Sequence, residues 1–433
     1  MIDKKSSHPK ATWVLLLVHS FERFGFWGMR GLLLLYMIEP TINGGLGWSD
    51  SKAIAFKGMY AGLSYFMPVI GGKIADEYMG AFKSIVLGNL SIALGILLLA
   101  VGKTNFFYMG LGLVSLGNGF FKPCLTSMLG KFYSKDNPLR DKAYHYLFQS
   151  VLIGVLCASI ASGSFMVIYG FETAFMLIAV VPALGMIIFA VYFRKGWKYV
   201  DIDDKPKKTS TCDNLDRRNL WQILVTALFA VIFFAAYSQG SGLLTVYAHK
   251  FTERHVMGYE IPTTWIACIG TIYAIILTPL VGHLWSKMAG DGREPHFSLK
   301  ISMGLCSTAI AFIIMIAAVA QGSNSASGLS SIYWFFLFDF FYALGRLVVP
   351  TLWSTVQRLA PEKYRFFSMG IILGSISLGS ILGGQIGALI SNHSISFIFM
   401  ILMSMCFISA LIFPIIFKRI FLNKIEAPKS SES

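Results

Sequence analysis

Apolar residues fall in long runs broken by short polar stretches, and the runs lack the strict alternation of a half-buried strand. A membrane-crossing helix needs about 20 mainly apolar residues. Twelve segments meet that length, at about 11–38, 53–75, 83–102, 105–130, 143–166 and 172–193, then 220–246, 261–287, 298–320, 330–356, 366–390 and 395–418. They are too long for barrel strands of roughly 10 residues. The longest polar interruption, 194–219, contains Lys205, Pro206, Lys207 and Lys208 and divides the spans six and six. The predicted organisation is therefore a six-helix bundle at 1–193 and a basic linker at 194–219. A second bundle at 220–418 and a short tail at 419–433 follow.

Composition agrees with this reading. The 433 residues are 55% apolar and 13% charged, against about 25% charged in a soluble domain. That much apolar surface needs lipid as its solvent. Six cysteines show no CxxC pair, so a disulfide framework or zinc site is not expected. The polar stretch Met1 to Lys10 precedes the first span with no cleavage pattern, so no signal peptide is expected.

In a soluble chain a net charge of +14 would suggest nucleic acid. Here it sets topology. With both termini inside, cytoplasmic segments hold 26 Lys and Arg, while the outer loops hold 4 (Lys52, Lys103, Lys250 and Arg254). That bias predicts an even number of spans in a plasma (inner) membrane with both ends cytoplasmic. The bilayer, not nucleic acid, is the expected partner.

Twelve helices in two sixes suggest an all-α major facilitator architecture, in which a midplane cavity lies between two rocking halves. Six basic residues remain inside the spans: Arg23, Arg30, Lys57, Lys73, Lys122 and Arg346. Lys57 and Lys73, near the ends of span 2, are expected to snorkel to water. A central Lys or Arg costs about 2.5–3.5 kcal/mol on insertion scales, so the deeper four need a watery cavity or partners.

Span 1 is the richest. His19, Glu22, Arg23, Phe26 and Arg30 follow helical spacing and share one face. As sequence neighbours, Glu22 and Arg23 are expected to seek partners on other helices. Their cluster is either functional or a structural ion-pair network. Lys122 in span 4 either pairs with Glu22 or snorkels to the cytoplasmic interface. Arg346 in span 10 either pairs with Asp339, seven residues earlier, or contacts substrate.

These residues resemble the proton-dependent oligopeptide transporter family of the major facilitator superfamily, also called the peptide/nitrate transporter family. His19-Ser20-Phe21-Glu22-Arg23-Phe24 followed by Gly28-Met29-Arg30 resembles its ExxERF and YYGMR-like stretch. Pro68, Gly71, Gly72, Ala75, Asp76 and Gly80 resemble its cytoplasmic gating loop, and Gly117 to Pro123 resembles GxGxxKPN. Asp136, Pro138, Arg140 and Asp141 resemble the loop that follows. In the second half, Phe234 to Ser241 resembles FWAxxEQxGS, and Leu359-Ala360-Pro361 resembles KLAP. Pro279, Trp285, Pro295 and Phe297 resemble the helix 8–9 region.

The chain also departs from the family. His19 replaces the first Glu of ExxER, and Ser238 replaces the helix 7 Glu. Leu152 replaces the helix 5 Asn, and Phe26 and Trp27 stand at the paired tyrosines. The family's helix 10 Glu, which helps to hold the peptide amino group, falls at Gly345.

The resemblance implies proton-coupled symport of di- or tripeptides by alternating access, driven by a proton gradient without a cofactor. It implies a small-molecule substrate, peptide or carboxylate-bearing, and a monomeric carrier. Glu22, His19, Lys122 and Arg23 would couple protons, and Asp76 and Gly80 would gate. Arg30, Lys122, Tyr65, Phe26, Trp27, Phe148, Gln149, Gln239 and Arg346 would line the substrate site. Trp353 is a further aromatic candidate. With the amine-holding Glu gone, the pocket charge shifts positive and favours a carboxylate or another anion. An anionic non-peptide solute (nitrate or an organic anion) and a receptor-like relative without transport are the alternatives. An enzyme is not expected: no nucleophile–base pair, metal cluster or GxxxxGK[ST] motif stands in the sequence.

Overall fold

The computed structural model describes residues 8–133, 139–194, 214–256, 258–291, 293, 295–360 and 365–419. Most of the 194–219 linker, the 134–138 loop and the 420–433 tail lie outside them, and with them Asp136, Pro138 and Pro361.

The helices follow the apolar runs. They are α1 (Lys10–Ile38), α2 (Asp50–Ile74), α3 (Gly80–Leu99) and α4 (Thr104–Lys131). The helical stretch Leu139–Phe193 breaks at Gly170, whose φ of +78° and ψ of 178° only glycine adopts readily. It therefore reads as α5 (139–169) and α6 (171–193), the reversal between two antiparallel spans. Next, α7 runs as Asn214–Tyr237, a tight turn at Ser238–Ser241 and Leu243–Lys250. Then come α8 (Thr263–Gly290), α9 (Phe297–Ser323) and α10, in two pieces, Tyr333–Gly345 and Val348–Leu359. The last two are α11 (Arg365–Ala388) and α12 (Ile395–Phe417).

Length and hydropathy alone mark eight stretches, two of which run through two helices each. The helices they leave out are α1 and α4. Both carry intramembrane charge, and α4 also carries five glycines.

The chain forms two units. The first takes residues 1–206 with the outer ends of α7 and α8, at 240–250 and 254–271. In it α1 packs on α5 and α6, while α4 packs on α2 and α3. Close approach of α2 and α4 depends on glycine: a Cβ on Gly71 would collide with the backbone of Gly119. At the inner end, Leu15, Phe121, Met128, Leu147 and Phe189 form a dry core. Beside it Tyr133 joins Thr12 (2.7 Å) and His8 (2.8 Å) through its hydroxyl. Burial pushes that phenol up from its ordinary value, so it stays protonated.

The outer end of the first unit is held by polar contacts. Lys250 Nζ donates to both oxygens of Asp50 (2.7 and 2.9 Å). Thr264 Oγ1 donates to Ser159 O (2.9 Å), and Trp265 Nε1 donates to Ile160 O (3.0 Å). Beyond them, Arg254 pairs with Glu260 (2.7 Å) across a short hairpin.

The second unit comprises 207–239, 251–253 and 272–433. Here α9 packs on α10 and α12, and α11 packs on α7. Ile223, Ala227, Val356 and Ile372 knit α7, α10 and α11.

Candidate functional site

In the first unit the charged face of α1 is buried. Glu22 is fully inaccessible, Arg23 and Arg30 are each 5% exposed, and His19 is 6% exposed. Buried charge needs partners or it will not stay charged. The expectation that Glu22 and Arg23 look to other helices for partners is half right. The Arg23 guanidinium grips Glu22 itself, with Nε on Oε2 and Nη2 on Oε1. The long Arg stem lets the fork fold back along its own helix, which the neighbour-spacing argument did not allow for. The same Nη2 donates to Asn118 Oδ1 on α4 (2.9 Å).

The network continues across α4 to α2. Asn118 Nδ2 donates to Ser64 O (2.9 Å), and the Ser64 and Ser115 hydroxyls lie 3.2 Å apart. One carboxylate thus anchors a three-helix chain of hydrogen bonds. Charge-assisted bonds of this kind are about twice as strong as neutral ones.

His19 sits beside the network. Its Nδ1 is 2.8 Å from Ser150 Oγ on α5, and its ring stacks on Phe121. Ser150 Oγ donates its single proton to Leu147 O (2.7 Å). The hydroxyl must then accept from His19, which assigns the proton of a neutral imidazole to Nδ1 and leaves Nε2 as the open nitrogen. Gly154 brings α5 close enough. A Cβ there would lie 2.7 Å from Ser20 O and 2.9 Å from Arg23 Cβ. A Gly154→Leu variant should lower Tm, by the equivalent of about 1–3 kcal/mol for overpacking. It should also weaken ligand binding by displacing Arg23. Thermal denaturation with and without ligand checks both effects.

Lys122 stands one turn beyond Asn118 on α4, within electrostatic reach of Glu22, Arg23 and Arg30. The Tyr65 ring lies near two cations, 5.5 Å from Lys122 Nζ and 5.8 Å from the Arg30 guanidinium. Arg30 also faces Phe26 (5.6 Å) and Trp27 (4.9 Å), and Arg23 faces Phe26 (5.0 Å). These distances suit cation–π contact. Rings satisfy only the faces of a guanidinium. Arg30 Nε and Nη1 are buried and make no hydrogen bond among the described residues. That leaves two unpaired N–H donors on one buried cation, on different edges of the guanidinium, each able to meet an anionic oxygen.

The remaining candidates stand on α5, α7 and α10. Phe148 is 41% exposed. Gln149, beside it on α5, is partly buried and makes no hydrogen bond among the described residues. In the second unit, the Arg346 guanidinium lies over the Tyr237 ring (5.8 Å), and that ring stacks on Tyr342. Gln239 is 1% exposed, and its Nε2 donates to Ala235 O (3.1 Å) and Gly383 O (2.7 Å), joining α7 to α11. Gly345 packs on α9, where a Cβ would meet Thr308 Oγ1. An acidic side chain has no room at that position. Trp353 is partly buried on α10.

Asp76 lies within a turn of π-helix at Ala75–Met79, closed by Gly80 at φ +72° and ψ 161°, a backbone conformation nearly reserved for glycine. Lys73 reaches water as expected, its side chain 75% exposed and 3.9 Å from Glu77. Lys57 does not snorkel: it is 3% exposed inside the bundle. The spacing rule placed it near a helix end, but α2 begins at Asp50 and puts it two turns deep.

Asn118, Ser64 and Ser150 were missed as members of the site. Their uncharged side chains carry no signal until the helices are packed. A groove of about 530 Å³, lined by Ile232, Phe397, Met400, Ile401 and Ile408, is apolar and holds none of the cluster. Among the described residues, no group of His, Cys, Asp or Glu could hold a metal ion.

Twelve helices among the described residues, a buried ion network and unpaired Arg donors fit a secondary transporter. The Major Facilitator Superfamily pattern matches residues 15–383, and the chain belongs to that superfamily. Within it, the similarity runs to the proton-dependent oligopeptide transporters. The chain is 26% identical to the uncharacterized transporter YclF of Bacillus subtilis over 88% of each chain. It is 25% identical to dipeptide and tripeptide permease A of Yersinia pestis, over 88% of this chain and 84% of that one. Its fold matches a crystal structure of peptide transporter POT in complex with sulfate at a TM-score of 0.87. The identity is 24%, over 97% of this chain and 99% of that one.

Proposed function

We propose that the protein is a proton-coupled symporter of di- and tripeptides, working by alternating access in the plasma membrane with both termini cytoplasmic. The observation that carries the reading is Arg30, buried among Phe26, Trp27 and Tyr65 with two unpaired in-plane donors. Arg30 would take the peptide carboxylate, with Lys122, also beside the Tyr65 ring, as a second cation. Glu22 would carry the proton. When protonated it releases Arg23, and when ionised it rebuilds the Arg23–Asn118 network, so the network has two states that a proton selects. His19, through its open Nε2, would pass the proton. Asp76 and Gly80 would flex at the inner mouth. No bound cofactor is needed, because the proton gradient drives the cycle, and one chain carries the whole N-terminal cluster.

A non-peptide anion is the less favoured solute, since one named relative is a dipeptide and tripeptide permease and the matching crystal structure is of a peptide transporter. The packed glycine at 345 and Ser238 leave the amino end weakly held, so recognition falls mainly on the carboxylate. Thermal-shift titration of the purified protein with dipeptides, their amino-acetylated forms, their amidated forms, nitrate and organic acids tests this. The expected result is stabilisation by free and acetylated peptides and loss with carboxyl amides. Stabilisation by nitrate or organic acids but by no peptide would overturn the reading.

A further inference from the structure

The proposed site leaves one buried charge unused. Lys57 is 3% exposed on α2, and no ion pair or hydrogen bond to it exists among the described residues. The charged group that acts on it is another cation, Arg30 of α1. Tyr60 follows one turn later and Ser64 one turn after that. At spacings of three and seven residues they share the Lys57 face of α2. All three are buried, at 3%, 4% and 1% exposure. Ser64 touches Ser115 of α4, which fixes the direction of that face toward the polar interior of the bundle.

Arg30 is within electrostatic reach of both Lys57 and Tyr60, and its guanidinium lies 4.9 Å from the Trp27 ring. Arg30 Nε and Nη1 and Trp27 Nε1 are each buried without a hydrogen-bond partner among the described residues. Three unpaired donor atoms and the Lys57 amine thus stand at and around Arg30, and Glu22 on the same helix is already engaged by Arg23. Two like charges buried together repel each other, and each also loses its hydration. A single carboxylate on Arg30 would relieve one of them and leave the other. A ligand end with two negative charges would relieve both.

We infer that Lys57 and Arg30 form a two-cation subsite in the N-terminal bundle that selects ligands with a second negative charge at the carboxyl end. Lys57 is then a specificity-determining residue of the proposed peptide site, and the inference rests on that reading. The second charge can come from an acidic carboxyl-terminal side chain or from a dianionic phosphonate in place of the terminal carboxylate.

The test uses two matched pairs. Ala-Asp against Ala-Asn isolates the side-chain charge, and Ala-Ala against its carboxyl-terminal phosphonate analogue isolates the dianionic terminus. Affinities are measured on the full-length detergent-purified protein. The expected result is at least about a tenfold preference for the doubly charged member of one or both pairs, equivalent to 1.4 kcal/mol. Lys57→Met should reduce that preference to under about twofold while Ala-Asn binding is kept, and Lys57→Arg should retain it. Equal binding within both pairs by the unmodified protein overturns the inference, whatever the variants do. So does a preference that survives Lys57→Met. If no peptide of any kind binds, the peptide reading falls and this inference falls with it. Peptide binding without charge preference sinks only the inference.

Discussion

Glu22→Gln is expected to abolish proton-driven accumulation of dipeptide in proteoliposomes while leaving counterflow exchange of labelled for unlabelled peptide. The reason is the closed set of bonds around this carboxylate. Glu22 is fully buried, and its two oxygens are the acceptors for Arg23, which in turn holds Asn118. Gln keeps the shape and one acceptor, so the network can still form, but it cannot gain or lose a proton. The variant leaves Arg23 without its counter-charge. Deleting one partner of a buried pair outright costs about 3–5 kcal/mol, and the amide should lose only part of that. A lower Tm is therefore expected alongside uncoupling, and the exchange assay separates the two. Loss of exchange together with accumulation would make Glu22 structural. Undiminished accumulation would remove it from the coupling scheme.

Arg30→Ala is expected to weaken peptide binding by about 2–5 kcal/mol, the range for truncating one member of a buried, hydrogen-bonded charge pair. Its effect on the ligand-free protein should run the other way. Arg30 Nε and Nη1 have no partner among the described residues, and Lys57 faces it as a like charge. Removing the guanidinium should leave Tm level or raise it. Arg30→Lys keeps the charge but loses the planar fork, so it should restore only part of the affinity. Calorimetric titration with one dipeptide and a parallel thermal scan check both arms. A large fall in Tm with unchanged affinity would mean that Arg30 serves packing rather than ligand binding.

Much of the fold was legible in the apolar pattern because lipid leaves the backbone few choices. A run of some twenty apolar residues must be helical, since every backbone donor and acceptor needs an internal partner. The helices therefore match the predicted runs, and differ mainly where polar residues continue a helix past the apolar stretch, as α7 does by starting at Asn214. The break at Gly170 falls between two expected spans, where a glycine without a side chain permits the reversal.

The charged members of the site were legible for the same reason: Glu22, Arg23, Arg30 and Lys122 stand out against lipid. Their pairing was not. Sequence spacing ranks neighbours by Cβ position, whereas Arg23 reaches Glu22 with the far end of a flexible side chain. Asn118, Ser64 and Ser150 were hidden because small polar residues occur throughout such helices, and only close approach through Gly71, Gly119 and Gly154 makes them partners. Lys57 was misread because its depth depends on where α2 starts, and the polar residues Asp50 to Lys52 are part of that helix rather than of the loop.

The central claim is that a proton gradient moves peptide through this chain. The direct measurement is uptake of a labelled dipeptide into proteoliposomes, with an imposed inward proton gradient and with the gradient collapsed by an ionophore. The account predicts uphill accumulation that vanishes with the ionophore and in Glu22→Gln. Uptake that only equilibrates, with or without the gradient, would contradict it.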